Sequence, residues 1–123
     1  AIDLKPSHTA AMVNMGILLL AQGRIEDATL QMEHAVALNP YLADARYNLA
    51  VAYAKAQRVE DAILQYEWTI ELQPAAIAAR INLGILYHES GETQLAIRQF
   101  QQILTIDPGN ATARSALQQL GVQ

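Results

Sequence analysis

Asn39-Pro40 is the stretch that decides the fold, because its proline returns along the chain at a constant interval. The four prolines of the 123-residue sequence are spaced 34 residues apart, at Pro6, Pro40, Pro74 and Pro108. Other residue types keep this interval, among them Ala28, Ala62 and Ala96 together with Asn14, Asn48 and Asn82. A period of this length, divided into two helix-length halves, predicts a solenoid built from helical hairpins.

The repeating unit resembles the tetratricopeptide repeat, whose signature has Trp, Leu, Gly and Tyr on a first helix and Ala, Phe, Ala and Pro on and after a second. The matching residues are Met15, Gly16, Leu19, Ala28, Met32, Ala35 and Pro40 in repeat one, Leu49, Ala50, Tyr53, Ala62, Tyr66 and Pro74 in repeat two, and Leu83, Gly84, Tyr87, Ala96, Phe100 and Pro108 in repeat three. Met12, Arg46 and Arg80 stand at the place of the first Trp, and Thr69 and Ile103 replace a small alanine. These departures change local packing rather than the fold.

The resemblance implies an all-α, right-handed superhelical solenoid of antiparallel helix hairpins. It divides the chain into the tail of a preceding, truncated repeat (1–8), three repeats (9–42, 43–76 and 77–110) and a C-terminal capping helix (111–123). The first helices of the hairpins, called A helices below, are predicted at 9–22, 43–56 and 77–90. The second, called B helices, are predicted at about 24–38, 59–72 and 93–106, and the last helix at 111–120.

The turns between A and B helices carry their own pattern. Gly23 and Gly91 follow two of the A helices, and Gln57 holds the same place after the other. A residue just past a helix end commonly takes a positive φ angle, which glycine adopts without strain. We therefore expect the turn at Gln57 to be strained or shifted.

The first residues repeat the pattern of a B-helix end, with Ile2 and Leu4 in the places of Val36 and Leu38. The chain is therefore expected to open in the last turn of a helix whose beginning is missing, as a segment cut from a longer array. A native start with a frayed tail is the alternative.

The last predicted helix is two-sided. Ala113, Leu117 and Leu120 fall on an apolar face, and Arg114 and Gln118 fall on a polar one. Such a helix is typical of a cap, which covers the core of a terminal repeat with its apolar face and exposes its polar face to solvent. We expect it to close the array.

Charge and composition exclude several functional classes. The net charge is −4 with no basic run, which argues against a nucleic-acid partner. There is no cysteine, and the longest apolar stretch, 16–21, is too short to enter a membrane as a span. His8, His34 and His88 follow no metal-ligand spacing, and no nucleophile or phosphate-loop motif occurs. We predict no catalytic residue, metal or cofactor, and the cytoplasm is the expected compartment.

The resemblance implies that A-helix side chains line a concave groove. Its predicted residues are Ala10, Val13, Asn14, Ile17 and Ala21 of repeat one, Asp44, Tyr47, Asn48, Val51 and Lys55 of repeat two, Ala78, Ile81, Asn82, Ile85, His88 and Glu89 of repeat three, and Thr112 of the cap. We call Asn14, Asn48 and Asn82 the asparagine ladder. Their side-chain amides can both donate and accept hydrogen bonds, so they could bind the backbone of an extended peptide whatever its sequence. The alternative is that they tie neighbouring helices together.

An apolar stripe runs beside the ladder, formed by Ile17, Val51 and Ile85. The A helices are expected to bury two other rows of residues. One row is Met15, Leu49 and Leu83, and the other is Leu18, Ala52 and Leu86. The stripe is therefore more apolar surface than an amphipathic helix needs in order to pack on the core. An exposed apolar stripe marks an interaction site. The alternative is that neighbouring A helices bury it.

One ligand class of similar repeats is not predicted. Repeats that clamp the acidic C-terminal tails of Hsp70 and Hsp90 have lysine or arginine at places that here hold Ala10, Ala78 and Asn82. Elsewhere, Leu64 and Trp68 lie four residues apart on the outer face of a B helix and could form a second contact surface. The alternative is a Trp68 side chain folded over its own helix.

We predict from these features a non-catalytic scaffold that binds a protein partner, as an extended peptide or a helix, in an uncharged, partly apolar groove. One alternative is the substrate-targeting arm of a larger enzyme such as a glycosyltransferase. Another is a self-assembling scaffold that uses the outer pair or the open N-terminal end of the array.

Overall fold

The computed structural model describes residues 6–122, with side chains from residue 8 onward, and these residues form seven helices. The bounds are α1 Pro6–Ala21, α2 Ile25–Leu38, α3 Ala43–Lys55, α4 Val59–Leu72, α5 Ile77–Glu89, α6 Thr93–Ile106 and α7 Ala111–Gln119. No strand occurs between residues 6 and 122. The predictions for Ile2 and Leu4 lie outside the described residues.

The helices match the predicted spans except at their ends. The B helices α2, α4 and α6 end as predicted, two residues before each proline. α1 already includes Pro6, three residues before the predicted start at Thr9. The A helices and α7 each end one residue early, because the next residue lies in a tightened closing turn. Ala56 N, for instance, donates to both Ala52 O at 3.0 Å and Tyr53 O at 3.1 Å.

The turn at Gln57 is strained but not shifted. Its φ angle is 63°, beside 78° at Gly23 and 83° at Gly91. All three turns close with the same pair of bonds; after α3, Gln57 N donates to Ala54 O at 3.1 Å and Arg58 N donates to Tyr53 O at 2.9 Å. This is the Schellman arrangement, and the repeated hydrogen-bond geometry imposes a left-handed residue whether or not glycine is present.

The chain divides into two compact units. The first ends at Leu72 and holds α1–α4, in which α1 pairs with α2, α3 pairs with α4, and α2 also packs on α3. Its core includes Val13, Leu19, Met32, Leu49 and Tyr66. The second begins at Gln73 and holds α5–α7, in which α6 packs on both α5 and α7 around Leu83, Phe100, Ile103 and Leu117.

Small residues let the paired helices approach closely. The periodic alanines Ala28, Ala62 and Ala96 are completely buried. A Cβ atom on Gly16 would lie 2.5 Å from Met32 Cε, and one on Gly84 would lie 2.7 Å from Phe100 Cζ. The two glycines therefore make room for the large core side chain of the helix that follows.

One predicted burial is wrong in α1. Leu49, Leu83, Ala52 and Leu86 are buried as expected, but Met15 is 48% and Leu18 is 53% exposed. In the first unit the corresponding face of α3 is packed by α2, the helix before it. Within the described part of the chain no helix precedes α1, so the same register positions remain in solvent.

The predicted two-sided character of α7 is confirmed. Ala113 and Leu117 are buried, whereas Arg114 and Gln118 are exposed. Asn110 caps the helix by accepting a bond from Ala113 N at 2.9 Å. A concavity of about 470 Å³ beside the helix is lined by Leu104, Arg114, Leu117, Gln118, Gly121 and Val122. The role of α7 as the end of the array stays a prediction.

Candidate functional site

The predicted groove residues of the first unit differ in exposure. Asn14, Ile17, Asp44 and Lys55 are exposed, and Tyr47, Asn48 and Val51 are half-buried. Val13 is the exception, because its side chain is 1% exposed and belongs to the core. Valine reaches less far from the helix than the tyrosine at the same register in α3, so Val13 stays below the surface. The prediction that Val13 lines a groove is therefore corrected.

Asn48 makes local hydrogen bonds that the sequence did not indicate. Its Nδ2 donates to the backbone oxygen of Asp44 at 2.8 Å and to Asp44 Oδ1 at 3.3 Å. Both acceptors lie one turn earlier on α3, so the amide is held against its own helix. The nitrogen is thus engaged locally, and the chemistry that Asn48 can best offer a ligand is the acceptor Oδ1.

The rings of Tyr47 and Tyr66 meet edge to face in the first unit. Their centroids are 5.8 Å apart and their planes make an angle of 64°. This is a favoured arrangement for two aromatic side chains. The contact supports the Tyr47 ring beside Asn48 on the surface of α3.

The second unit contains a concavity that includes two of the predicted groove residues, Ile85 and Thr112. It has a volume of about 440 Å³ and is lined by Ile85, Phe100, Ala111, Thr112, Ser115, Ala116 and Gln119. Ile85 is 44% exposed and forms an apolar wall, whereas Phe100 is 3% exposed and contributes only its surface edge. None of these seven lining residues is charged. The concavity can accept an aliphatic side chain and offer hydroxyl and amide groups beside it.

The sequence analysis identified only Ile85 and Thr112 among the lining residues. The sequence spacing could have indicated Ser115 and Gln119 as well. Thr112, Ser115 and Gln119 lie three and four residues apart and therefore share a face of α7. Ile81 and Asn82 are half-buried, and His88 is exposed; none of the three lines this concavity.

Leu64 and Trp68 are both accessible on α4, with exposures of 51% and 39%. The sequence did not indicate a contact between Arg46 and Trp68, but the guanidinium carbon of Arg46 lies 4.6 Å from the centre of the Trp68 ring. The same side chain donates to Pro40 O and to Gln65 Oε1, each at 3.0 Å. Burial lowers the pKa of Arg46 below its ordinary value. Trp68 therefore stands out from α4 with one face covered by a fixed cation.

One polar pair lies in the first unit away from the groove residues. The Tyr53 hydroxyl donates to Glu33 Oε2 at 2.6 Å, and the Arg58 guanidinium lies 4.3 Å from the centre of the Tyr53 ring. Burial, followed by the bond to Glu33, raises the pKa of Tyr53 to about 12. The neutral hydroxyl is the stable form, so the pair serves as a link between α2 and α3.

No three His, Cys, Asp or Glu side chains between residues 8 and 122 come together in a way that could hold a metal ion. Among α1–α7, none has both the length and the apolar character needed to cross a bilayer.

Comparison with known proteins places the chain in a family. The sequence profile described as Tetratricopeptide repeat matches residues 13–67 and 56–111. No curated protein matches the chain. The solved structures that share the fold include three informative cases.

The first TPR of Spaghetti (RPAP3) bound to the HSP90 peptide SRMEEVD has a TM-score of 0.90 at 17% identity, covering 98% of this chain and 96% of that one. The second TPR domain of human RPAP3 in complex with the HSP70 peptide SGPTIEEVD has a TM-score of 0.85 at 24% identity, covering 96% and 99%. YrrB, a TPR protein with an unusual peptide-binding site, has a TM-score of 0.82 at 21% identity, covering 89% and 57%.

These similarities confirm the predicted all-α solenoid class. Because the profile covers most of the sequence, the chain belongs to the tetratricopeptide repeat family.

Proposed function

We propose that this chain is a non-catalytic protein-interaction module that binds an extended peptide on the α5 and α7 side of its second unit. The observation that carries the proposal is the concavity of about 440 Å³ bounded by Ile85 and by one face of α7. Its wall is apolar and its remaining polar groups are uncharged. A peptide that places an aliphatic side chain there would bury apolar surface and keep its backbone near the Thr112 and Ser115 hydroxyls.

The nature of the peptide is inferred from charge. The RPAP3 domains were solved with SRMEEVD and SGPTIEEVD, which both end in Glu-Glu-Val-Asp. Here Lys55 is the one permanent cation among the predicted groove residues, and Asp44 and Glu89 add opposite charges. With a net charge of −4, this surface has little to attract such an acidic tail. We therefore propose an uncharged, partly apolar peptide as the ligand.

The test starts from a library of random peptides passed over the immobilised chain. We expect retained peptides to share an aliphatic residue with few acidic neighbours, and SRMEEVD, added separately as a probe, to bind no better than a scrambled peptide. Ile85→Asp should weaken a retained peptide by about tenfold, because the lost apolar contact and the new desolvated charge both oppose binding.

The matched control is Ile106→Asp, since Ile106 is 40% exposed on α6 and does not line the concavity. It should leave affinity unchanged. Equal affinity for the two aspartate variants, or selective retention of SRMEEVD, would contradict the proposed site. The alternative function as the targeting arm of a larger enzyme stays a prediction.

A further inference from the structure

The outer face of α4 differs from the outer faces of the other two B helices. Its exposed residues Glu60, Leu64 and Trp68 lie four apart and therefore form one row along the helix. The equivalent exposed rows are Glu26, Leu30 and His34 in α2 and Gln94, Arg98 and Gln102 in α6. Among the three B helices, α4 alone presents two large apolar side chains in this row, with Leu64 at 51% and Trp68 at 39% exposure.

The following repeat shows that Trp68 is not needed to hold the arginine beneath it. The guanidinium carbon of Arg46 lies 4.6 Å from the centre of the Trp68 ring. One period later, Arg80 donates to the equivalent loop oxygen and to the equivalent glutamine, each at 2.9 Å, although an exposed Gln102 stands in the place of the tryptophan. The exposed surface of Trp68 is therefore available for a contact outside the hairpin, and tryptophan is enriched among the residues that contribute most to protein interfaces.

Acidic residues flank the two apolar side chains. Glu60 lies four residues before the leucine and Glu71 lies three residues after the tryptophan, and both are exposed. Two cations lie near this face, and each already has an acceptor. Arg58, just before α4, is paired with Asp61 at 2.9 Å, and Arg46 donates to a loop oxygen and to a glutamine. The face therefore offers a partner negative charge on both sides of an apolar centre.

The spacing of these residues suits a helix as the partner. Side chains four residues apart form a ridge, which packs into the groove between the ridges of a second helix. Glu60 and Glu71 are eleven residues apart, which is about 17 Å along the axis of α4. A partner helix of about three turns spans this length and brings one cation to each glutamate.

We propose that the outer face of α4 binds a basic amphipathic helix of a partner protein. Its apolar side chains contact Leu64 and Trp68, and its lysine or arginine side chains pair with Glu60 and Glu71. A second copy of the chain is a poorer occupant, because two α4 helices placed face to face in either direction bring glutamate against glutamate. None of the residues of this face lines the proposed peptide concavity, so the two proposals are tested separately.

The probe is a fluorescent helical peptide, stapled on its far side, with two lysines eleven residues apart and two leucines between them on the same face. A matched peptide carries glutamates in place of the lysines. The lysine peptide should bind the intact chain at a ratio of one to one and about tenfold more tightly than the glutamate peptide. The difference should shrink at high salt, because exposed charges are then screened.

Trp68→Gln and Leu64→Gln should each weaken binding of the lysine peptide by about tenfold, because the apolar centre of the contact is lost. Glu71→Gln should weaken it by about threefold and reduce its salt dependence, since an exposed ion pair contributes little. Leu30→Gln is the matched control, because Leu30 is 64% exposed at the equivalent place on α2, and it should leave affinity unchanged. Circular dichroism would establish that each variant keeps its fold.

Ile85→Asp should also leave this binding unchanged, since Ile85 belongs to the concavity of the second unit. Loss of binding in Ile85→Asp would place the peptide in that concavity and overturn the proposal. So would a lysine peptide that binds no more tightly than the glutamate peptide, or Trp68→Gln and Leu64→Gln variants that bind it as well as the original chain does. Sedimentation that shows a dimer dissolved by Trp68→Gln would make the occupant a second copy and would also overturn it.

Discussion

The Arg46 guanidinium donates to Gln65 Oε1 at 3.0 Å and thereby joins α3 to α4. Arg80 repeats this relationship one period later with Gln99, at 2.9 Å. Each arginine also donates to the oxygen of the proline before its helix, Pro40 at 3.0 Å or Pro74 at 2.9 Å. In two repeats, the position where the family's signature has Trp is thus held by an arginine. Its two hydrogen bonds connect the A helix to the preceding loop and to the B helix.

Arg46→Lys should lower the free energy of unfolding by about 1 kcal/mol, because an ammonium cannot reproduce the two directed bonds of the fork. Urea unfolding followed by circular dichroism would measure the change. Arg24→Lys is the control: the Arg24–Asp27 pair is more than half exposed on both sides, so its loss should have little effect. An equal effect of the two substitutions would show that the hydrogen bonds of Arg46 to Pro40 and Gln65 contribute nothing to the free energy of unfolding.

The 34-residue period predicted the fold well, because proline, alanine and glycine act through backbone geometry and close approach. The ends of α2, α4 and α6 follow from the prolines alone. The same period failed for Met15 and Leu18, since it states which positions are equivalent but not whether a neighbouring helix is present to cover them. The first described repeat therefore has equivalent residues in a different environment.

The candidate site was predicted less completely. The register identified Ile85 and Thr112, but whether Val13 or Tyr47 reaches the surface depends on side-chain length. The hydrogen bonds of Asn48 to Asp44 and the cover that Arg46 places on Trp68 depend on rotamers, which a repeat pattern does not contain.

Gln57→Gly should raise the free energy of unfolding by about 1 kcal/mol, because Gln57 has a φ angle of 63° and glycine adopts that region without a Cβ clash. Gly23→Gln and Gly91→Gln should lower it by a similar amount. A Cβ atom on either glycine would meet nothing within 4 Å, so the loss would be purely conformational. Gly109→Gln is the control at a glycine without positive φ, and it should be close to neutral. Destabilisation by Gln57→Gly would mean that the glutamine side chain stabilises this turn.

Gly84→Ala should destabilise the chain by about 1–3 kcal/mol, because the new methyl group would enter the rigid ring of Phe100. Gly16→Ala should cost less, since its methyl group meets the flexible end of Met32, and the gain in helix propensity offsets part of the clash. Thermal or urea unfolding of both variants gives the comparison. If Phe100→Leu partly restores the stability of Gly84→Ala, the clash with the ring is the cause. A larger loss for Gly16→Ala than for Gly84→Ala would refute this explanation.

Tyr53→Phe should lower the free energy of unfolding by about 1 kcal/mol near neutral pH, because the bond to Glu33 is lost. The difference should be pH-dependent. The pKa of Tyr53 is raised in the fold from its ordinary 10.0 to about 12, so the unfolded chain releases this proton first. The contribution is therefore complete below pH 10 and is lost as the pH rises towards 12.

Urea unfolding at neutral pH and at about pH 11 would measure this difference, which should narrow at the higher value. Tyr41→Phe is the control, because Tyr41 is 75% exposed, and it should match the original chain at both values. A difference between Tyr53→Phe and the original chain that stays constant with pH would rule out the buried hydroxyl as its source.

Asn48→Ala should weaken a retained peptide by about fivefold, equivalent to about 1 kcal/mol, if Oδ1 accepts a bond from the peptide backbone. Because a backbone N–H occurs in every residue but proline, the loss should be similar for peptides of different sequence. Asn48→Asp keeps an acceptor but loses the bonds to Asp44 and places two carboxylates together, so it should also weaken binding, and more so at low salt. Titrations of one retained peptide at two salt concentrations, with Asn14→Ala and Asn82→Ala alongside, would measure these effects. If Asn48→Ala binds normally with its fold intact, its local bonds to Asp44 are its whole role, and peptide recognition must come from Ile85 and α7.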